Sequence, residues 1–206
     1  MHLSFKAFYQ KEAYIINTEI PFEKDCDFEA QMHKYYFISG FDLLEVDDDF
    51  EPTKGKEPVA IVKAVFFKYD NICANKKSII DVADGITTFI ADDSINAMEA
   101  LISNDLLPEG KSNNIESICY LSRLYIHPEH RKRGVATYIF ENMQELFKYI
   151  IGEKTNIVVI YPEPQKPNND KWESINDYQM LKQMISMLER HDFAPIEDTG
   201  FYYKMF

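Results

Sequence analysis

Only three cysteines occur in the 206-residue chain, Cys26, Cys73 and Cys119, odd in number and widely scattered. A disulfide scaffold is excluded, and the three read as reduced thiols of a cytoplasmic protein. Long apolar runs are missing as well. The longest candidates, such as Ala64 to Phe67, fall far short of the roughly 18 residues needed to span a bilayer. The N-terminus, Met1-His2-Leu3-Ser4-Phe5-Lys6, has neither a long apolar region nor a small-residue cleavage site, so no signal peptide is expected. Positive charge is in deficit, with 22 Lys and Arg against 34 Asp and Glu and a formal charge of −12. Such a surface repels nucleic acid and anionic membranes and tolerates cationic partners. Glycine is scarce too, seven in all, which makes one at a junction between elements informative. What is present is ordinary globular composition, 46% hydrophobic and 27% charged, which excludes disorder and collagen. The length suits a single domain spanning residues 1–206.

The N-terminal half, residues 1–116, is the less patterned one. Leu3, Phe5, Ala7 and Tyr9 alternate with polar residues and predict a half-buried strand. Residues 45–58 form a charged loop punctuated by Pro and Gly, and its triplet Asp47-Asp48-Asp49 lacks the glycine and terminal glutamate of a calcium loop. Val59 to Phe67 is β-branched and aromatic enough for a buried strand. A helix is expected over 94–103, capped by Ser94, with Ile95, Met98, Leu101 and Ile102 on one face. The loop Leu106 to Asn114 contains Gly110-Lys111-Ser112, but the first glycine of a phosphate loop would fall at Asp105, which excludes that reading.

From residue 117 the pattern sharpens to strand, helix, strand, helix and hairpin. Ser117 to Ile126 predicts a central strand, ended by His127-Pro128. Gly134 opens a helix with Val135, Ile139, Met143, Phe147 and Ile150 on its apolar face, and Gly152 closes it. Asn156 to Tyr161 predicts a second buried strand, stopped by Pro162 and Pro164. A polar loop then leads to Ser174, which pairs with Asp177 as a capping box. The helix that follows is expected to bury Ile175, Tyr178, Leu181, Ile185 and Leu188. Asp198-Thr199-Gly200 turns the chain into a last strand, Phe201 to Phe206.

The segment Arg131-Lys132-Arg133-Gly134-Val135-Ala136-Thr137 stands between a buried strand and an amphipathic helix. Free backbone N–H groups and the partial positive charge at a helix start suit a phosphate. Gly134 permits close approach of the backbone, Ala136 keeps that approach clear, and three cations add attraction in an otherwise acidic molecule. The competing reading is a solvated basic turn with Gly134 as a hinge. His127 and His130, three apart, are possible metal ligands, but no other ligand cluster lies near them in sequence and no metal is expected.

Arg131-x-x-Gly134-x-Ala136, preceded by Leu124-Tyr125-Ile126-His127-Pro128-Glu129-His130, resembles the acyl-CoA binding motif of the GNAT N-acetyltransferase superfamily. The resemblance continues through the helix and second strand to Leu188-Glu189-Arg190-His191-Asp192-Phe193 and the closing hairpin, covering about residues 117–206, the acyl-CoA binding core. It implies an α/β (α+β) fold with a mixed, mostly antiparallel central sheet, splayed parallel strands at about 118–126 and 156–161, and flanking helices. It also implies that the backbone of Leu124, Tyr125 and Ile126 contacts the pantetheine of acetyl-CoA. The amides of Arg131, Lys132, Arg133, Gly134, Val135, Ala136 and Thr137 would wrap the pyrophosphate.

The activity implied is transfer of an acetyl group from acetyl-CoA, the cosubstrate, to a primary amine. The amine attacks the thioester after losing its proton, a backbone N–H steadies the oxyanion and an acid protonates the thiolate. Acceptors range from a cationic small molecule to a peptide or protein amine, and a homodimer is within the family's habit. The catalytic side chains depart from the family pattern. Its usual strand glutamate falls at Tyr120, and its usual tyrosine acid falls at Leu188. Tyr161 and Glu163, at the end of the second strand, are the substitutes that position favours, with Tyr120 itself as a third catalytic candidate and Glu116 and Tyr178 behind them. A covalent route through Cys119 is disfavoured against a buried apolar role. Asp192 stands where the family has glycine and can adopt the left-handed conformation that position needs. The alternative function is a degenerate fold that binds CoA or a protein partner without turnover.

Overall fold

A computed structural model describes residues 2–9, 34–46, 57–86, 91–108, 114–151, 154–168 and 171–206. The acidic triplet 47–49, the Gly110-Lys111-Ser112 segment, Cys26 and Gly152 lie outside the described residues.

Apolar residues alternate sides along the central strands, and the molecule is built on that alternation. Strand β1 (His2–Tyr9) pairs antiparallel with β2 (Tyr36–Val46), and β2 pairs antiparallel with β3 (Ala60–Lys68). Strand β4 (Ser117–Ile126) is antiparallel to β3 and parallel to β5 (Thr155–Ile160). Strands β6 (Gln165–Asn168) and β7 (Lys171–Ser174) form a separate hairpin. Strands β8 (Ala194–Pro195) and β9 (Tyr202–Met205) complete the main sheet, in the order β1-β2-β3-β4-β5-β9-β8. This is the mostly antiparallel sheet with one parallel pair that a GNAT-type fold requires.

Val65, Phe67, Ile118, Tyr120, Ile157 and Val159 face one side of the sheet. They pack under three helices inserted between β3 and β4: α1 (Tyr69–Ala74), α2 (Ile79–Asp84) and α3 (Ala91–Ser103). Ala64, Phe66, Cys119, Leu121, Val158 and Ile160 face the other side. There they meet α4 (Val135–Glu141) and α5 (Met143–Ile151), joined by Leu188 of α6 (Tyr178–Arg190). Phe66 and Phe147 touch edge to face at 5.1 Å in the middle of this second core.

Several local expectations change. Helix α3 begins at Ala91, not at a Ser94 cap; Ser94 is buried inside it, and Asp92 and Asp93 supply the acidic first turn that its dipole favours. The helix expected from Gly134 to Ile150 is interrupted at Asn142, whose φ of −106° leaves helical geometry. Its side-chain amide donates to the Tyr138 carbonyl at 2.8 Å, a local bond that competes with the helix ladder. No capping box forms at 174–177. Asp177 caps α6 alone, accepting from Met180 N–H at 2.9 Å, while Ser174 belongs to β7. Tyr178 is the first residue of that helix and is 66% exposed rather than buried. The stretch 162–173, read as a polar loop, carries most of the β6–β7 hairpin. Two expectations about unusual residues hold: Asp192 has φ 64°, and Cys119 is a buried free thiol, its pKa raised by burial.

Phe66→Ala should cost about 3–5 kcal/mol of unfolding free energy in urea denaturation, the range for emptying a packed aromatic site. A loss under about 1 kcal/mol would show that this core collapses freely around the gap.

Candidate active site

The feature that organises the site is a fork. Strands β4 and β5 stay paired only as far as Leu121 with Ile160. Beyond that point β4 runs on to Ile126 and remains paired on its other side, ending with Ile126 opposite Ala60 on β3. The β3–β4 register shifts between Lys63 and Ala64, which makes Ser122 an extra residue, a β-bulge. Its hydroxyl donates to the Lys63 carbonyl at 3.0 Å. A bulge bends the strand that carries it and resets its alternation. The packing reflects this: Cys119 and Leu121 share a face with Leu124 and Ile126 rather than with Arg123 and Tyr125. From 122 to 126 the backbone edge facing β5 therefore has no ladder partner among the described residues.

The end of β4 leads directly into the basic loop. Pro128–His130 makes one 3-10 turn, and Gly134 then caps α4 with φ 81° and ψ 2°. A β-carbon built on Gly134 would meet nothing within 4 Å, so the backbone is approachable from that side. Lys132 takes a positive φ of 60° in the same loop. Lys132, Arg133 and Thr137 are exposed, Ala136 is partly so, and Val135 is buried as the helix anchor. Arg131 is an exposed cation that also has a structural bond: its Nε donates to the Ile126 carbonyl at 3.0 Å, tying the loop to the strand end. This arrangement fits a CoA-type molecule. It offers an open strand edge for the pantetheine amides, then helix-start N–H groups and cations for the pyrophosphate.

At the base of the fork, Tyr161 and Glu163 follow β5. Tyr161 is 48% exposed and sets its ring 5.2 Å from Phe201, while Tyr120 is buried and lies 6.4 Å from the same phenylalanine. Burial pushes the Tyr120 hydroxyl far above its ordinary range, and the charges of Asp93 and Glu163 push the same way. A hydroxyl so shifted keeps its proton at neutral pH. Glu163 is held at both oxygens, accepting from Ser174 Oγ at 2.6 Å and from Gln165 Nε2 at 2.8 Å. The expected alternates fall elsewhere. Glu116 sits before β4, at the closed end of the parallel pair, and Tyr178 lies under the Lys182 ammonium at 4.6 Å. Leu188 is 1% exposed inside the second core.

Two contributors were missed in the sequence. The hairpin bears on the open part of β4: Trp172 is 4.2 Å from the Arg123 guanidinium and 5.0 Å from the Tyr125 ring, and Arg123 Nε donates to Gln165 Oε1 at 3.3 Å. Its strands are too short and polar to announce themselves. The second is Asp93 of α3, which interacts electrostatically with both Glu163 and Tyr120. Its pKa is raised, chiefly by partial burial, then by Glu163 and Asp92. In the sequence it registers only as an acid near a helix start.

A parallel pair that opens beyond Leu121, followed by a basic turn into a glycine-capped helix, is the arrangement that the resemblance implied. No protein-family model and no curated protein match the chain. Among solved structures, it is similar to Arabidopsis thaliana NAA60 in complex with acetyl-CoA, at 12% identity and a TM-score of 0.43. It is also similar to Arabidopsis thaliana NAA60 in complex with a bisubstrate analogue, at 14% identity and a TM-score of 0.40. In each case 99% of this chain and 98% of the other are covered.

The raised carboxyl of Asp93 binds its proton more tightly in the native than in the unfolded state. Native stability therefore falls as pH rises from the ordinary value of 3.8 through the raised value, then levels off. Asp93→Asn removes this dependence, so its thermal midpoint should gain on the wild type between pH 4 and pH 7. A difference that stays flat or reverses would refute the raised pKa of this carboxyl.

Proposed function

We propose that the protein is an N-acetyltransferase that moves the acetyl group of acetyl-CoA to a primary amine. One observation carries the reading: the parallel ladder stops at Leu121 while β4 continues to Ile126 and passes, through a single turn, into the glycine-capped start of α4. The strand edge at Leu124, Tyr125 and Ile126 holds the pantetheine, and the backbone of Arg131, Lys132, Arg133, Gly134, Val135, Ala136 and Thr137 holds the pyrophosphate. Lys132 and Arg133 draw in the anionic ligand, and Arg131 fixes the loop against the end of the strand. Acetyl-CoA supplies an activated thioester: the amine nitrogen attacks its carbonyl carbon, the C–S bond breaks, and the acetyl group leaves as an amide while CoA is released as the thiol.

The acceptor enters on the side of Tyr161, Glu163 and Asp93. Two carboxylates there attract an ammonium group, and one of them takes its proton. Asp93, with its pKa moved toward neutrality, is the better matched base. Glu163, hydrogen-bonded at both oxygens, is the firmer anchor for positive charge. Tyr120 donates a hydrogen bond and keeps its proton. This carboxylate pair and the net charge of −12 support a cationic acceptor, either a small polyamine-like molecule or a peptide or protein amine. The described residues contain no helix long and apolar enough to cross a membrane.

A second reading, a CoA-binding protein without turnover, is favoured by Tyr120 and Leu188, which stand where the family usually keeps a carboxylate and a proton-donating phenol. Calorimetric titration with acetyl-CoA and CoA, followed by amine-dependent thiol release, separates the two. The enzyme binds at micromolar level and releases thiol with some amine, the inert binder releases none, and a folded protein that binds neither ligand refutes both.

Gly134→Val should weaken CoA binding at least about tenfold, by setting a branched side chain on the approach to the pyrophosphate and by straining a left-handed residue. Unchanged affinity in the folded variant would overturn the assignment of the loop. Glu163→Gln should lower kcat and leave CoA affinity alone. A parallel loss of both would make Glu163 part of the cosubstrate site instead.

A further inference from the structure

The turn between β4 and the basic loop gathers three potential ligands that the acyl-transfer reading does not use. One ring nitrogen each of His127 and His130 and a carboxylate oxygen of Glu129 lie within 4.8 Å of one another. The cause is local. His127 caps the 3-10 turn and His130 closes it, and a 3-10 helix repeats every three residues, so side chains three apart eclipse. Their rings stand 5.9 Å apart, and the turn is held by the His130 N–H donating to the His127 carbonyl at 2.9 Å. The sequence shows the two histidines but not that the turn aims Glu129 at the same point.

We propose that His127, Glu129 and His130 form a binding site for a divalent transition-metal ion of the zinc class. Two imidazoles and one carboxylate are the donor set such ions take, whereas magnesium and calcium prefer oxygen alone. Tetrahedral bonds of about 2.1 Å place donors about 3.4 Å apart, so side-chain rotations of about 1 Å close the present grouping. Glu57 Oε2 lies 3.2 Å from His127 Nε2. A carboxylate on that nitrogen fixes the tautomer and presents Nδ1 as the lone pair, the usual outer support of a metal-bound histidine. His130 Nδ1 is buried and has no hydrogen-bond partner among the described residues. A buried polar atom without a partner calls for an explanation, and a metal ion supplies one. Residue 131 follows at once, and its side chain is bonded to the end of β4. An ion here therefore pins the turn from which the pyrophosphate loop departs, without entering the acetyl transfer.

The test uses the full chain in metal-free, chelator-free buffer, titrated with zinc chloride by calorimetry and with cobalt(II) by visible absorption. One equivalent of zinc should bind, and cobalt should give the intense bands of a low-coordinate nitrogen-ligated ion. His127→Ala with His130→Ala should abolish both signals. Glu129→Gln, at an exposed position that leaves the fold intact, should lower zinc affinity at least about tenfold, and His191→Gln should not change it. Absence of stoichiometric zinc binding by the wild type overturns the site, as does binding that survives in the double variant or is insensitive to Glu129→Gln. No CoA is present in these titrations, so the result is independent of the transferase reading.

Discussion

The site depends on β4 losing one neighbour while keeping the other. A strand edge left open inside a sheet is normally a liability, because its N–H and C=O groups seek partners. Here the bulge at Ser122 produces the opening, and the unbroken ladder to β3 holds it in shape. Leu124 and Ile126 stay anchored in the second core, so only the hydrogen-bonding edge is freed while the side chains remain packed. Arg131 then ties the following loop to the last carbonyl of the strand. Opened edge and helix start thereby become one rigid surface.

Charge is segregated across this surface. The molecule as a whole is strongly acidic, yet the approach to α4 is basic, and the opposite side of the fork carries Asp93 and Glu163. Under the proposed function an anionic ligand and a cationic one are received from different directions. The carboxylates are not equivalent. Hydrogen bonds from Ser174 and Gln165 hold Glu163, whereas Asp93, on an exposed part of α3, is raised by partial desolvation and by the neighbouring acids Glu163 and Asp92. Environment alone makes two otherwise similar carboxyl groups differ.

How much of this was legible in the sequence follows from how local each cause is. The strand at 117–126, the basic loop, Gly134 as the start of a helix and the strand at 155–160 all rest on short-range patterns, and they appear where expected. Asp192 in a left-handed conformation was likewise readable, since turn geometry is a matter of single residues. The β6–β7 hairpin was not, because four-residue polar strands owe their existence to Trp172 packing on Arg123 and Tyr125 from far away in sequence. Asp93 was not either, since its significance arises only when α3 lies across β4. Nor could alternation alone have shown the bulge, as Ser122 is one residue whose effect is to shift everything after it. Helix boundaries slipped where side chains compete with the backbone, at Asn142, or where a stronger cap lay a few residues on, at Asp177.

The long excursion between β3 and β4 has a consequence for how the molecule assembles. These two strands are neighbours, but the chain between them folds into α1, α2 and α3 instead of a tight turn. Bringing β4 beside β3 therefore carries the closure entropy of a long loop, which is recovered only as that loop packs into its own core. Such non-local pairing slows folding and makes it cooperative. The opened edge of β4 is stable only as part of that finished ladder. A partly folded chain with its inserted helices detached would retain the basic loop and its helix but would have no fork beside them.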